Sequence, residues 1–429
     1  MYTPQRLFGE VGSSSDILSH EPFLERARLQ REQERDGLAR LALGAYVVAR
    51  LINKLLTIEP GSDDVEGFQW QLGAVHRHVD DLPADVPESA HLAGIVAAIP
   101  AQGRPTSVLW KSLTAYAYFL EHEGRLEESL EILTLAARSQ GPSTSPADFV
   151  SYALLAGRLN RLLARWQHAT TCYQAAQEAA HTLGDVNRVL RARLGRAHVI
   201  RARGNLPEAM TEVEQVIAAA AESGVVDVQS DAEQDLGIIL MLQGFRPESL
   251  EATYRAFQLC QDSLNRMRIL GDLGYALNES GHYDAARVAL EIVVSSDASH
   301  HCRLNALLEL MQLESAVGNR VAFERRRQQV RESVDRMTPS TAVDYRYKTA
   351  IGLARFGQLE RAREVVGEAL ALAEQHRLNE WYFRLERVLK DLVSAPDHPE
   401  ITAPAPAGVT PAVDQMTTGL REYASLLAV

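Results

Sequence analysis

Cysteine is scarce in this chain of 429 residues: Cys172, Cys260 and Cys302 are odd in number and far apart. That pattern argues against a disulfide framework and fits reduced thiols in the cytoplasm. Aromatic residues make up only 6%, too few for a sheet built on aromatic and β-branched pairs. Positive charge is in deficit, with 44 Lys and Arg against 56 Asp and Glu and a net charge of -12. Such a balance argues against nucleic-acid or anionic-membrane binding, although a local basic site stays compatible with it. Long apolar runs are missing too. The longest candidate, Leu41 to Leu56, is interrupted by Arg50, Asn53 and Lys54, too polar to span a bilayer. The opening MYTPQRLFGEVGSSSD has no basic segment followed by an apolar core, as a secretory signal would.

Catalytic signatures are absent as well. The sequence holds no Gly-rich phosphate loop with Lys-Ser/Thr, no G-x-S-x-G and no H-E-x-x-H. His76 and His78 fall in a helical pattern, where residues two apart point about 200° from each other, so they do not share a metal. His300, His301 and Cys302 are adjacent and lack a fourth ligand at zinc spacing. Paired carboxylates such as Asp80-Asp81 and Glu127-Glu128 read as solvated surface. The expectation is therefore a non-enzyme with no catalytic residue, no metal site and no cofactor.

What is present is helix-forming. Hydrophobic residues make up 46% and charged residues 23%, with Ala, Leu, Glu and Arg prominent, as in a folded helical protein. A period emerges from seven positions: Gly124, Ala164, Gly204, Gly244, Gly281, Gly318 and Gly357, spaced by 40, 40, 40, 37, 37 and 39 residues. Seven residues before each stand Ala117, Gly157, Ala197, Gly237, Gly274, Met311 and Ala350. Five after stand Ser129, Ala169, Ala209, Ser249, Ala286, Phe323 and Ala362. Twelve after stand Ala136, Ala176, Val216, Ala256, Val293, Val330 and Ala369. Two antiparallel helices approach closely only where side chains are short, and a Gly between them supplies the left-handed turn. Leu126, Trp166, Leu206, Tyr283 and Leu359 then fill the space just past the turn.

This G-x-L/Y-x-x-A pattern, repeated over roughly residues 108–392, resembles the tetratricopeptide repeat family. The resemblance implies an all-α, right-handed superhelical solenoid of about seven helical hairpins, with ligands held in a concave groove lined by first helices. The period exceeds the family's 34 residues, so longer helices are expected, by about 9 Å per hairpin for six extra residues. Met311 and Phe323 depart from the small-residue columns, and a splayed sixth hairpin is expected there.

Residues 1–107 break the period, with helical patterning at about 21–35, 37–57, 64–80 and 88–99, and Pro60-Gly61 among the breakers. They read as a polar cap on the array or as a separate effector module. Residues 393–429 read as a Pro/Ala-rich linker ending in a short amphipathic segment. Leu420, Tyr423, Leu426 and Leu427 share one face of it, and the segment is either disordered or docked.

On the expected groove face, Lys111 and Tyr118 come from the first hairpin, Arg158 and Arg161 from the second, and Arg191, His198 and Arg201 from the third. Ile238 and Met241 add an apolar patch and Tyr275 follows. Residues 188–203 hold six Arg and no acidic residue. Arg forks suit carboxylates, so an acidic protein or peptide is the expected partner; the alternative is that these arginines pair with Glu or Asp of neighbouring helices. A second basic run, Arg325 to Arg327 with Arg331, is expected to face solvent. The function implied is a cytoplasmic binding scaffold. The second reading resembles peptide-pheromone receptors, in which a bound peptide switches an N-terminal helical module.

Overall fold

The computed structural model describes residues 19–58, 64–100, 105–139, 145–334, 337–376, 378–394 and 402–427. The opening segment, the breaker Pro60-Gly61 and residues 395–401 of the expected linker lie outside them. Among the described residues there are helices and no strand. Four helices come first: α1 (Glu21–Glu32), α2 (Asp36–Thr57), α3 (Asp64–Asp80) and α4 (Pro87–Ala98). Helix pairs follow: α5 (Ser107–His122) with α6 (Leu126–Ser139), α7 (Pro146–Leu162) with α8 (Trp166–Thr182), and α9 (Val186–Ala202) with α10 (Leu206–Glu222). Then come α11 (Val226–Gln243) with α12 (Arg246–Leu259), α13 (Ser263–Glu279) with α14 (Tyr283–Ser295), α15 (His300–Ala316) with α16 (Arg320–Arg331), and α17 (Pro339–Arg355) with α18 (Leu359–Gln375). Helices α19 (Asn379–Ser394) and α20 (Pro411–Leu427) complete the series. None is long and apolar enough to cross a membrane. The chain forms two compact units, Met1–Glu212 and Val213–Val429, that part within α10.

The turn column is the organising feature. All seven sites have positive φ, from 56° at Ala164 to 87° at Gly244. Gly184 and Gly224 also have positive φ, 68° each, and close the turns after α8 and α10. Between residues 164 and 244 a left-handed residue therefore recurs at half the 40-residue period. The long period is two helices of 17 residues joined by short turns. Where the period shortens, the second helix is the one that shrinks, to 14 residues in α12 and 13 in α14.

The three columns are buried throughout, including Val216, Val293 and Val330 at 0% exposure. Ser129 Oγ donates to the Ala117 carbonyl at 2.7 Å, and Ser249 Oγ to the Gly237 carbonyl at 2.7 Å. The residue before the turn and the residue after it thus touch. The Tyr173 ring lies over both Gly157 and Gly195, where a Cβ would fall 2.8 Å and 2.2 Å from it. In the hairpin expected to splay, Met311 and Phe323 are both fully buried; Gly352 on the next hairpin supplies the room.

In the first unit, one apolar cluster runs from Phe23 and Leu41 through Leu92 and Leu113 to Ala192. Helices α1–α4 therefore share the core of the repeats that follow. A buried ionic network fastens them. Glu88 on α4 meets Arg125 at 2.8 Å and Arg26 at 3.1 Å, and accepts from the Tyr116 hydroxyl at 2.6 Å. Arg26 also reaches Glu128 at 3.1 Å. Burial alone would raise the Glu88 pKa, but hydrogen bonding and charge from Arg125, with help from Arg26 and Tyr116, hold it below the usual carboxylate value. Glu127, Asp80 and Asp81 are solvated as expected; Glu128 is not, at 5% exposure, because the two arginines compensate its charge inside.

Candidate functional site

In the first unit the expected stripe lies on α5, α7 and α9. Lys111 and Tyr118 are exposed on α5. Arg158 on α7 donates from Nη2 to Glu121 Oε2 at 2.6 Å, a pair between successive first helices. Tyr118 lies beside it, its hydroxyl pKa raised by burial against the charge of Arg158, with Glu121 adding to the rise. Burial raises the Tyr173 hydroxyl pKa against the charge of Arg161, and Arg191 Nε donates to Asn187 Oδ1 at 2.9 Å. His198 and Arg201 are half-buried on α9. For Arg158 the structure thus bears out pairing with a neighbouring carboxylate. Arg326 of the second basic run is paired with Glu291 on α14 and only 16% exposed, so that run does not simply face solvent.

In the second unit Ile238 and Met241 are half-buried, and Met241 packs against the apolar cluster around Leu273 and Leu277. Tyr275, 43% exposed, faces two adjoining cavities of about 420 and 430 Å³. Helices α13, α15 and α17 line both, with Tyr275, Glu309, Asp344 and Lys348 common to the two. Positions thirteen, ten and six before the turn Gly contribute Arg268, Gly271 and Tyr275 on α13, and Asn305 and Gln312 on α15. The position three before it turns inward instead, as Asn278 and Ser315 are each 3% exposed.

Missed from the sequence was the position nine before the turn Gly: Asp272, Glu309 and Lys348, ionisable in three consecutive hairpins and all on the cavity wall. Lys348 Nζ sits 2.7 Å from Glu309 Oε1 and 2.9 Å from Asp344 Oδ2. Burial would lower its pKa, but the two carboxylates outweigh that and hold it well above the ordinary Lys value. Glu279 is held above the ordinary carboxylate value by burial, with Glu309 adding to the effect. Burial, then Glu279 and Glu309, push the Tyr275 hydroxyl up to about 12. At the far end Arg384 stacks 4.3 Å from the Tyr347 ring and donates to its hydroxyl at 2.9 Å. Arg355 donates to Ser315 Oγ at 2.9 Å, and burial lowers its pKa.

The cavities thus present fixed charges of both signs and two tyrosine faces on rigid helices, the chemistry that holds an extended polar chain. His301 and Cys302 also stand on the wall, His301 Nε2 lying 3.1 Å from Asn305 Nδ2. Among the described residues no group of three or more His, Cys, Asp or Glu is placed to hold a metal ion.

The chain matches no family model and no curated protein. Solved structures do match. A Rap protein complexed with Competence and Sporulation Factor is 10% identical, covering 82% of this chain and 97% of its own, with a TM-score of 0.48. NprR in complex with its cognate peptide NprX is 12% identical, covering 89% and 99%, at 0.46. The TPR-like repeats of a Podosopora anserina putative kinesin light chain are 19% identical, covering 45% and 99%, at 0.37. This chain's own turns at positive φ and its three buried columns make its hairpins tetratricopeptide-like in geometry.

Proposed function

We propose that this protein is a non-catalytic, cytoplasmic scaffold that binds a peptide or an extended protein segment through the first helices of its hairpins. The observation that carries the reading is the wall around Tyr275. Three successive first helices there place Arg268, Asp272, Glu309 and Lys348 along a recess large enough for several residues of extended chain. A main chain has donors, acceptors and side chains of either sign, and a recess with fixed charges of both signs orients it without rearrangement. In the first unit, the stripe of Arg158, Arg161, Arg191 and Arg201, with Lys111, Tyr118 and His198, is a separate surface suited to acidic groups of a protein or peptide. Ile238 and Met241 offer apolar contact. Nucleic acid is not the partner on this reading, because Asp272, Glu279, Glu309 and Asp344 stand among the basic residues of the cavity wall.

Selection of random peptides on the wild-type chain, repeated on Tyr275→Ala/Arg268→Glu and on Arg158→Glu/Arg191→Glu, tests it. Peptides retained by the wild type and lost from either variant, with unchanged thermal unfolding, support the reading. Retention indifferent to both pairs of substitutions removes it. A second reading, a regulator in which a bound peptide switches the N-terminal helices, is compatible with the same recess; the core that α1–α4 share with α5–α9 supports the cap.

A further inference from the structure

Residues 402–427 lie on the second unit as a two-part clasp. The first part is extended. It crosses the α13/α14 turn, where Ala407 N–H donates to the Gly281 carbonyl at 3.1 Å and the Tyr283 hydroxyl donates to the Pro404 carbonyl. At Gly124, Gly204, Gly244, Gly318 and Gly357 a Cβ would meet nothing within 4 Å, but at Gly281 it would fall 2.3 Å from the Ala405 carbonyl oxygen. This one turn is shaped to let a chain pass. The second part is α20, which packs on α14. Its Val413, Met416 and Leu420 are 6%, 4% and 0% exposed. Tyr423 stands edge-on to Phe257 at 5.2 Å, with the Arg266 guanidinium 5.6 Å from its ring centroid. Gly419 lets the Tyr254 hydroxyl approach closely. Of the face expected to be apolar, Leu420 and Tyr423 are used; Leu426 and Leu427 are 74% and 50% exposed, beyond the end of the contact.

The clasp reaches the recess. Thr402, Ala403 and Pro404 line the same cavity as Glu279, Lys348 and Arg355. We propose that residues 402–427 are a releasable latch. The surface formed by the α13/α14 turn, α12 and α14 is a docking site for an extended Pro/Ala-rich segment that leads into an amphipathic helix with Val, Met, Leu and Tyr on one face. The chain's own segment fills this site and closes one end of the cavity, so an incoming peptide competes with it. The hydrogen bonds at Ala407 and Pro404 fasten the extended part, and residues 403–410 form neither helix nor strand. Tethering supplies the rest, because a short linker holds such a segment at millimolar effective concentration. Only the closing of the cavity rests on the peptide-binding reading; the docking site does not.

The test uses the full chain and a fluorescent synthetic peptide of residues 402–427. Leu420→Asp weakens the latch inside the chain, and Tyr423→Ala is the milder counterpart. Each latch-weakened chain is expected to bind the peptide at least tenfold more tightly than the wild type, whose site is already filled. Equal binding by wild type and variants, or no binding by the variants, overturns the proposal. Loss of cooperative unfolding in both variants overturns it as well, since the segment would then be integral core. Peptide selection with Tyr275 and Arg268 variants can fail while this experiment succeeds, so the two claims are separable.

Discussion

The Phe323 ring occupies the volume that a side chain at residue 352 would need: a Cβ built on Gly352 falls 2.3 Å from it. One hairpin's largest intruder is thus matched by the next hairpin's smallest residue. Gly352→Ala is expected to destabilise the protein by roughly 1–3 kcal/mol through overpacking. Phe323→Leu in the same chain should recover much of that loss, which a double-mutant cycle by urea unfolding measures. Additive effects would show that the two residues do not share one space.

Ala164 is the one turn position of the series that is not Gly, yet its φ is 56°. A left-handed Ala is strained by roughly 1–2 kcal/mol, partly offset because Gly gains more freedom in the unfolded chain. Ala164→Gly should therefore raise stability by up to about 1 kcal/mol, and Gly204→Ala should lower it by a similar amount. Thermal unfolding reads both; a lower midpoint for Ala164→Gly contradicts the strain.

Glu88→Gln leaves Arg26 and Arg125 without a full countercharge and should cost about 3–5 kcal/mol at neutral pH. Because the folded pKa of Glu88 lies below its ordinary value of 4.5, its contribution is complete above 4.5 and is lost as pH falls through the lowered value. The gap between wild type and variant should close in acid. Glu128, whose pKa is raised by burial, has the opposite dependence, but it is present in both proteins and largely cancels. A gap independent of pH down to 2 would contradict the assignment.

Lys348→Met removes the ammonium shared by Glu309 and Asp344 and should cost about 3–5 kcal/mol at pH 7. Without it the two carboxylates repel and their folded pKa values rise, so the variant's stability should hold at low pH and fall as pH climbs through that raised range. Equilibrium unfolding between pH 4 and 8 provides the check. A variant as stable at pH 8 as at pH 4 rules out the shared pairing.

Thiol labelling separates the three cysteines. Cys172 is buried, and that burial pushes its thiol up to about 12; Cys260 is buried too, whereas Cys302 is half-exposed on the cavity wall. A disulfide reagent at pH 8 should modify Cys302 first and the others only on unfolding. A peptide seated in the recess should slow that first reaction, which mass spectrometry of the labelled chain follows.

The fold was legible because a tight helical turn and a close helix crossing each demand a residue type, and those demands recur along the chain. Gly281 and Gly318 had to sit where φ turns positive, and Ala286 and Ala369 where helices touch. What repeats leaves a periodic trace; what happens once does not. The charged lining of Asp272, Glu309 and Lys348 had a faint trace, since all three stand nine residues before a turn, but the face could not be oriented to that accuracy without the packed helices.

The amino-acid order by itself determined the repeat turns and the buried columns, because those are set by backbone sterics and local volume. Only the tertiary structure decided which charges are spent inside and which remain for a partner. Glu128 and Glu127 are neighbours in sequence, yet one is enclosed by Arg26 and Arg125 and the other is in water. The docking of residues 402–427 across Gly281 was likewise settled by contacts between segments more than a hundred residues apart, which no local pattern encodes.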